Sequence, residues 1–151
     1  MKPSIPFTQK GYQEILDEKI KLLKERPETV ENLRKAREMG DLSENGYYKE
    51  ARHRLSFLDS RLRYLERLVR FGKVMESKNS GYVGIDSQVI LSINTKEITY
   101  RIVGSFESNP QKKTISYVSP LGKALMGKKE GENVEVLTPS GPVIYQILKI
   151  N

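Results

Sequence analysis

Residues 46–73 read GYYKEARHRLSFLDSRLRYLERLVRFGK, and this run decides the architecture. Tyr48, Ala51, Leu55, Leu58, Leu62, Leu65 and Val69 recur at alternating spacings of 3 and 4. That is the a/d seam of one long helix, with no proline and no internal glycine before Gly72. Upstream, Thr8 is placed to cap a second helix whose broader stripe runs through Tyr12, Ile15, Leu16, Ile20, Leu22, Leu23, Val30, Leu33 and Ala36. Pro27 lies inside that stripe and predicts an end or a kink near Arg26, with Glu28 and Glu31 favouring the restarted turn. Two amphipathic helices joined by a short polar break bury their seams most simply against each other. The pattern therefore predicts an antiparallel hairpin turning at Gly40–Asn45. About 30 residues per helix, at ~1.5 Å each, make a rod ~45 Å long. A rod that thin is an arm, not a globular core.

Beyond ESKNSGY (76–82) the periodicity changes. SQVILSI, EITYRIVG, KTISYVS, ENVEVLT and PVIYQILKI are short, rich in β-branched residues and separated by turn signals. One interruption reads as a short helix, with Ser119 as N-cap, Pro120 at the first helical position and Gly127 closing LGKALMG. The fold class is α+β: a helical hairpin, then a mostly antiparallel sheet carrying one short helix.

The 151 residues include 26 Lys and Arg against 19 Asp and Glu, a net charge of +7, and no cysteine. Disulfide frameworks and cysteine metal sites are excluded. No run approaches the ~18 apolar residues of a membrane span, and the N-terminal stretch has no apolar leader segment. A soluble cytoplasmic protein with no membrane partner is expected. The excess of the first half lies on the second helix, where Lys49, Arg52, Arg54, Arg61, Arg63, Arg67, Arg70 and Lys73 face only Glu50, Asp59 and Glu66.

At the turn stands GDLSEN, with Asp41, Ser43 and Glu44. Asp41 could cap the second helix with Glu44 three residues on. Alternatively, two hard carboxylates at an exposed tip could help to hold Mg²⁺, which wants six oxygens and so needs ligands from a partner. Lys49, Arg52, Arg63, Arg67 and Arg70 follow helical spacing opposite the seam, with no acid in the row. They read either as a solvated face or as a track for phosphate. GKALMGKK nearly matches a phosphate loop, but Lys129 replaces the required hydroxyl and a strand follows in place of a helix. His53 is the single histidine, so no zinc site or nucleophilic triad can be assembled.

Together, RPETVENLRKAREMGDLSENGYYKEARHR at the turn and SPLGKALMGK in the second half closely resemble the bacterial Gre transcript cleavage factors. The likeness extends from PFTQKGYQEIL through YRIVG to TPSGPVIYQILKI, essentially the whole chain. It implies a coiled-coil hairpin with an acidic tip over residues 1–75 and an FKBP-like, polymerase-docking domain over 76–151. In such factors the second domain docks at the rim of the secondary channel of RNA polymerase. The hairpin then reaches the active site, where the tip acids stabilise a second Mg²⁺ and a water, and the polymerase cuts its own backtracked RNA. On this resemblance the catalytic positions are Asp41, Ser43 and Glu44, with Asp41 and Glu44 sharing Mg²⁺ with the polymerase. Arg37, Arg52 and Lys49 would contact the extruded 3′ RNA, Ser119 and Pro120 would dock, and the chain would act as a monomer without an active site of its own. One departure is local: Gly46-Tyr47-Tyr48 stands where the family often has alanine followed by an acid. A Gre-like channel inhibitor and a free-standing nucleic-acid-binding coiled coil are the rival classes.

Overall fold

The computed structural model describes residues 4–40, 45–76 and 80–151. They form two compact units, one of residues 13–72 and one joining 4–12 to the described part of 73–151. The division at residue 75 read from sequence thus assigns 4–12 to the hairpin, whereas here they pack with the sheet.

Helix α1 spans Gln9–Arg37 and helix α2 spans Gly46–Phe71. Thr8 starts α1 as its composition suggests: its Oγ1 accepts from Gly11 N at 3.0 Å. The α2 seam is real, with Leu58 and Leu65 fully buried against Leu22 of α1 and flanked by Ile15 and Leu62. Full burial of each leucine contributes about 1.5–3 kcal/mol. The α1 stripe is narrower than its hydrophobicity predicts. Ile20, Leu23 and Val30 are exposed at 52%, 49% and 39%. Polar Thr29 is buried in their stead, its Oγ1 donating to Glu25 O at 3.2 Å.

Pro27 does not end α1, which runs unbroken through it. A proline inside a helix costs about 3 kcal/mol. Buried Leu22 before it and buried Thr29, Leu33 and Ala36 after it lie on one row, so packing outweighs the local preference.

Three arginine–carboxylate pairs cross between the helices. Arg61 donates to Glu18 at 2.8 and 3.0 Å, Arg54 Nε to Glu25 at 2.8 Å, and Arg26 to Asp59 at 2.7 and 3.3 Å. As the number rises from 18 to 25 on α1 it falls from 61 to 54 on α2, so the helices are antiparallel. Exposed pairs contribute only about 0–1 kcal/mol each. The leucines stabilise the hairpin and the charges fix its register.

In the second unit a small sheet pairs β1 (Ile5–Phe7) with β2 (Gly72–Val74). The main sheet comprises β3 (Gln88–Ile93), β4 (Lys96–Val103), β5 (Thr114–Ser116), β6 (Asn133–Thr138) and β7 (Gly141–Ile150), ordered β5-β4-β3-β7-β6. All ladders are antiparallel except β4–β5, and β3–β7 carries a register shift at Ile90/Leu91. Asn94 and Thr95, both at positive φ, make the tight β3–β4 turn. Helix α3 (Pro120–Leu125) closes a core of Val83, Val89, Leu91, Ile102, Leu125, Val134 and Ile147. The α+β class and the five main strands agree with the sequence reading. The three-residue strands β1 and β2 are too short to leave a periodic signal.

Glu107 fastens the start of α1 within this unit. One carboxylate oxygen accepts from Thr8 N at 2.9 Å and Gly104 N at 2.8 Å, and the other accepts from the Thr8 hydroxyl. Two glycines make room for it: a Cβ on Gly11 would lie 1.7 Å from Glu107, and one on Gly104 would lie 2.1 Å from Pro6 O.

Candidate functional site

The turn of the hairpin is built from its flanks. α1 ends in Arg34, Lys35 and Arg37, cations that suit the negative end of the helix dipole. Glu38 N and Met39 N close on Lys35 O and Ala36 O, and Gly40 takes φ +118°, which favours glycine. Across the turn, Asn45 is the N-cap of α2, its Oδ1 accepting from Tyr48 N at 3.1 Å. Its Nδ2 donates to Ala36 O at 2.7 Å. One side chain therefore satisfies an orphan N–H of the second helix and adds a second donor to a carbonyl at the end of the first.

Asp41, Ser43 and Glu44 lie outside the described residues. The capping role considered for Asp41 is nevertheless filled, because the N-cap of α2 is Asn45. Sequence reasoning missed Asn45, although asparagine directly before the first helical residue is a recognised start signal. Among the described residues no group of three His, Asp or Glu side chains could hold a metal. Two carboxylates match Mg²⁺ in donor hardness and fall short of its six ligands in number.

The cations near the turn divide by whether they are already engaged. Arg34 is held by Glu31 and Glu38, each at 2.6 Å, and Arg54 by Glu25. The Arg34 hydrogen bond holds the Glu31 carboxyl below its usual range. Arg37 instead lies over the Tyr48 ring, 5.9 Å from its centre. Lys49 and Arg52 are exposed and have no ion pair to another described residue. The structure thus brings Arg37, Lys49 and Arg52 to the turn as cations not neutralised by a described acid. Beside them, a groove of about 370 Å³ is lined by Lys35, Met39, Tyr47 and Arg54 among others. Tyr47 and Met39 are exposed at 69% and 63%. His53 is an exposed residue of α2, as the basic-helix reading anticipates.

Farther along α2, Arg63, Arg67 and Arg70 line a groove of about 310 Å³ with Glu66 and Phe71. In the sheet unit, Ser119 caps α3 as expected. Its Oγ accepts from Gly122 N at 3.0 Å and donates to Ser116 O at 2.7 Å, and Pro120 follows at the first turn. A Cβ on Gly122 would lie 2.0 Å from Ser116 O, so this loop is closed by backbone contact. Val118, exposed at 43%, sits at its crest. No helix of the described residues is long and apolar enough to cross a membrane.

Comparison with known proteins covers both units. The family model "Transcription elongation factor, N-terminal" matches residues 5–74, and "Transcription elongation factor, GreA/GreB, C-term" matches 77–151. The transcription elongation factor GreA of a Nitratiruptor species is 41% identical over 99% of this chain and 94% of its own. That of Cereibacter sphaeroides is 40% identical over 97% and 96%. The crystal structure of GreA factor homolog 1 from Thermus thermophilus aligns over 98% of this chain and 99% of that one, at 22% identity and a TM-score of 0.46. The assignment rests on the sequence matches, which run from β1 to the final strand. With both family models matched in chain order and relatives aligned nearly end to end, the chain belongs to the GreA/GreB family of transcription elongation factors.

Proposed function

We propose that this elongation factor inserts its hairpin into the secondary channel of bacterial RNA polymerase and stimulates the polymerase's own cleavage of backtracked RNA. The observation that carries this reading is Asn45. By capping α2 and binding Ala36 O, it ties both helix ends together and relieves Asp41 of any capping duty. The N-cap of α2 thus needs no acid of the turn.

In this reading Asp41 and Glu44 supply two oxygen ligands to a Mg²⁺ completed by polymerase carboxylates and an RNA phosphate, as two-metal hydrolysis requires. When bound, such an ion would supply the Lewis acidity that turns a water into a nucleophile. Glu44 would help to orient the water, with Ser43 between the two acids in the sequence. Arg37, Arg52 and Lys49 hold the extruded 3′ RNA by its phosphates, and the Ser119–Pro120 loop contributes to docking on the channel rim. The factor acts as a monomer in the cytoplasm and has no complete active site alone.

The test is RNA cleavage by a stalled, backtracked elongation complex at limiting Mg²⁺. Asp41→Asn keeps the side chain's size and removes the charge that a hard cation needs. Cleavage should fall by orders of magnitude while polymerase binding and the hairpin's melting temperature persist, and raised Mg²⁺ should restore part of it. Cleavage at the wild-type rate by Asp41→Asn would turn the reading toward a channel inhibitor or an RNA-binding arm.

A further inference from the structure

A second constellation on the hairpin lies apart from the turn and is built twice. On α2, Arg54 lies over the Phe57 ring at 5.3 Å and Arg61 over the Tyr64 ring at 5.0 Å. Each arginine is at the same time held from α1, Arg54 by Glu25 and Arg61 by Glu18. The unit is therefore glutamate, arginine and aromatic ring, repeated after seven residues on both helices. The bland explanation is packing, but neither ring joins the buried seam. Phe57 is 54% exposed and Tyr64 37%. A groove of about 260 Å³ runs between them, lined by Phe57, Ser60, Arg61 and Tyr64.

The arrangement has a physical logic. A guanidinium fixed by a carboxylate is a flat, oriented surface, and stacking on it restricts the ring beside it. An exposed aromatic so restrained loses less freedom when a flat ligand lies against it. Seven residues advance ~10.5 Å along the helix, so the two rings stand apart across the groove and do not cover each other. At 3.6 residues per turn, exposed Arg63, Arg67 and Arg70 fall on the face of α2 beside this aromatic row, in a groove that also holds Glu66.

That neighbouring row decides the occupant. A second copy of this chain docking face to face would bring two arginine rows together. A polyanion with flat faces answers both rows at once. We propose that the Phe57–Tyr64 groove takes nucleobases of a single-stranded polynucleotide, one stacked against each ring, while the adjoining phosphates lie along Arg63 and Arg67. Such stacking tolerates any base, as expected for a site meeting RNA of arbitrary sequence. This adds a base contact to the reading above, yet it requires neither the polymerase nor Asp41.

The test uses the whole protein and labelled single-stranded oligonucleotides, read by fluorescence anisotropy. One RNA carries bases, a second of equal length is abasic, and a DNA of the same sequence and an RNA duplex complete the set. Phe57→Leu and Tyr64→Leu keep an apolar side chain and helix propensity. Each should weaken binding to the base-bearing strands by about 5- to 100-fold and leave abasic binding unchanged. Arg61→Lys, which keeps the charge facing Glu18 but loses the flat surface, should move the same way, and Phe57→Tyr should bind as wild type. Arg63→Gln and Arg67→Gln should weaken every strand and lower the salt dependence. Equal losses for RNA and DNA single strands support stacking, and a loss confined to RNA assigns the contact to the ribose hydroxyl and overturns it. Unchanged affinity in both leucine variants, equal binding of abasic RNA, or no binding by the wild type would also overturn the proposal. So would a loss of polymerase affinity with RNA affinity intact, which would make this face a protein contact. Asp41→Asn should bind these oligonucleotides normally, so failure of the cleavage reading and failure of this one are told apart.

Discussion

The hairpin and the sheet unit solve the problem of a small core in different ways. The sheet unit gathers seven buried side chains from four strands, a loop and α3 into one cluster, and its described ion pairs number one, Arg101 with Asp86. The hairpin's central cluster is only Leu22, Leu58 and Leu65, and it is framed by three cross-helix arginine–carboxylate pairs. A pair of helices buries a single seam, and the cross-helix ion pairs accompany it. The lesson concerns length. A rod gains burial in proportion to its length and never encloses itself, so its register depends on periodic charge, whereas the sheet's depends on hydrogen-bond ladders.

The largest expected effect follows directly. Leu65→Ala in the hairpin and Leu91→Ala in the sheet should each destabilise by about 2–5 kcal/mol, since both side chains are fully buried. The losses should fall on different transitions: Leu65→Ala on the helical far-ultraviolet signal, and Leu91→Ala on the near-ultraviolet signal of the sheet tyrosines Tyr100, Tyr117 and Tyr145. If either variant shifts both signals together, the two units fold as one and the contrast collapses.

Asn45→Ala should have a smaller effect, about 1–2 kcal/mol, because it removes an N-cap and takes from Ala36 O one of its two donors. Only the hairpin transition should move, and transcript cleavage should fall with it. Asn45→Asp keeps the cap but cannot donate to Ala36 O, so it should recover part of the stability. Full cleavage by Asn45→Ala would detach the turn's function from the latch.

The smallest effect is with acid. The hydrogen bond from Arg26 holds the Asp59 carboxyl below its usual range. A carboxyl depressed in the folded state stabilises above its unfolded pKa, and that contribution is lost as pH falls through the folded value. The hairpin transition should therefore soften slightly at acid pH, and Asp59→Asn should flatten that limb without touching the sheet transition. Both groups are well solvated, so the shift should be slight, and added salt should reduce it further. A hairpin that gains stability on acidification would contradict the sign.

How legible this was in the sequence differs between the units for the same reason. The α2 seam could be read because every a/d position is apolar or aromatic. The α1 face could not, because Glu18, Glu25 and Thr29 occupy its helical row while Ile20, Leu23 and Val30 point to solvent. Hydropathy cannot tell that an arginine from the other helix will meet each glutamate. Pro27 misled because local preference says nothing of the burial on either side of it. In the sheet, alternation and turn residues marked all five main strands, and β1 and β2 escaped because pairing over three residues comes from chain topology. At the turn, the acids could be picked out by motif. The residue that latches the helices, Asn45, takes its meaning from a carbonyl nine positions away.

One earlier feature changes what this molecule is for an engineer. β1 lies before the hairpin and β2 after it, and the two pair, with Met75 N donating to Phe7 O at 2.8 Å and Glu107 fastening Thr8. The arm is thus an insertion into the sheet unit and not an appendage at its front. A truncation at residue 75 discards β1 and strips Glu107 of Thr8, whereas a short linker from residue 12 to residue 73 would keep both. The same junction would accept a hairpin borrowed from a relative, or one shortened by a matched heptad in each helix, with no change to the sheet's own sequence.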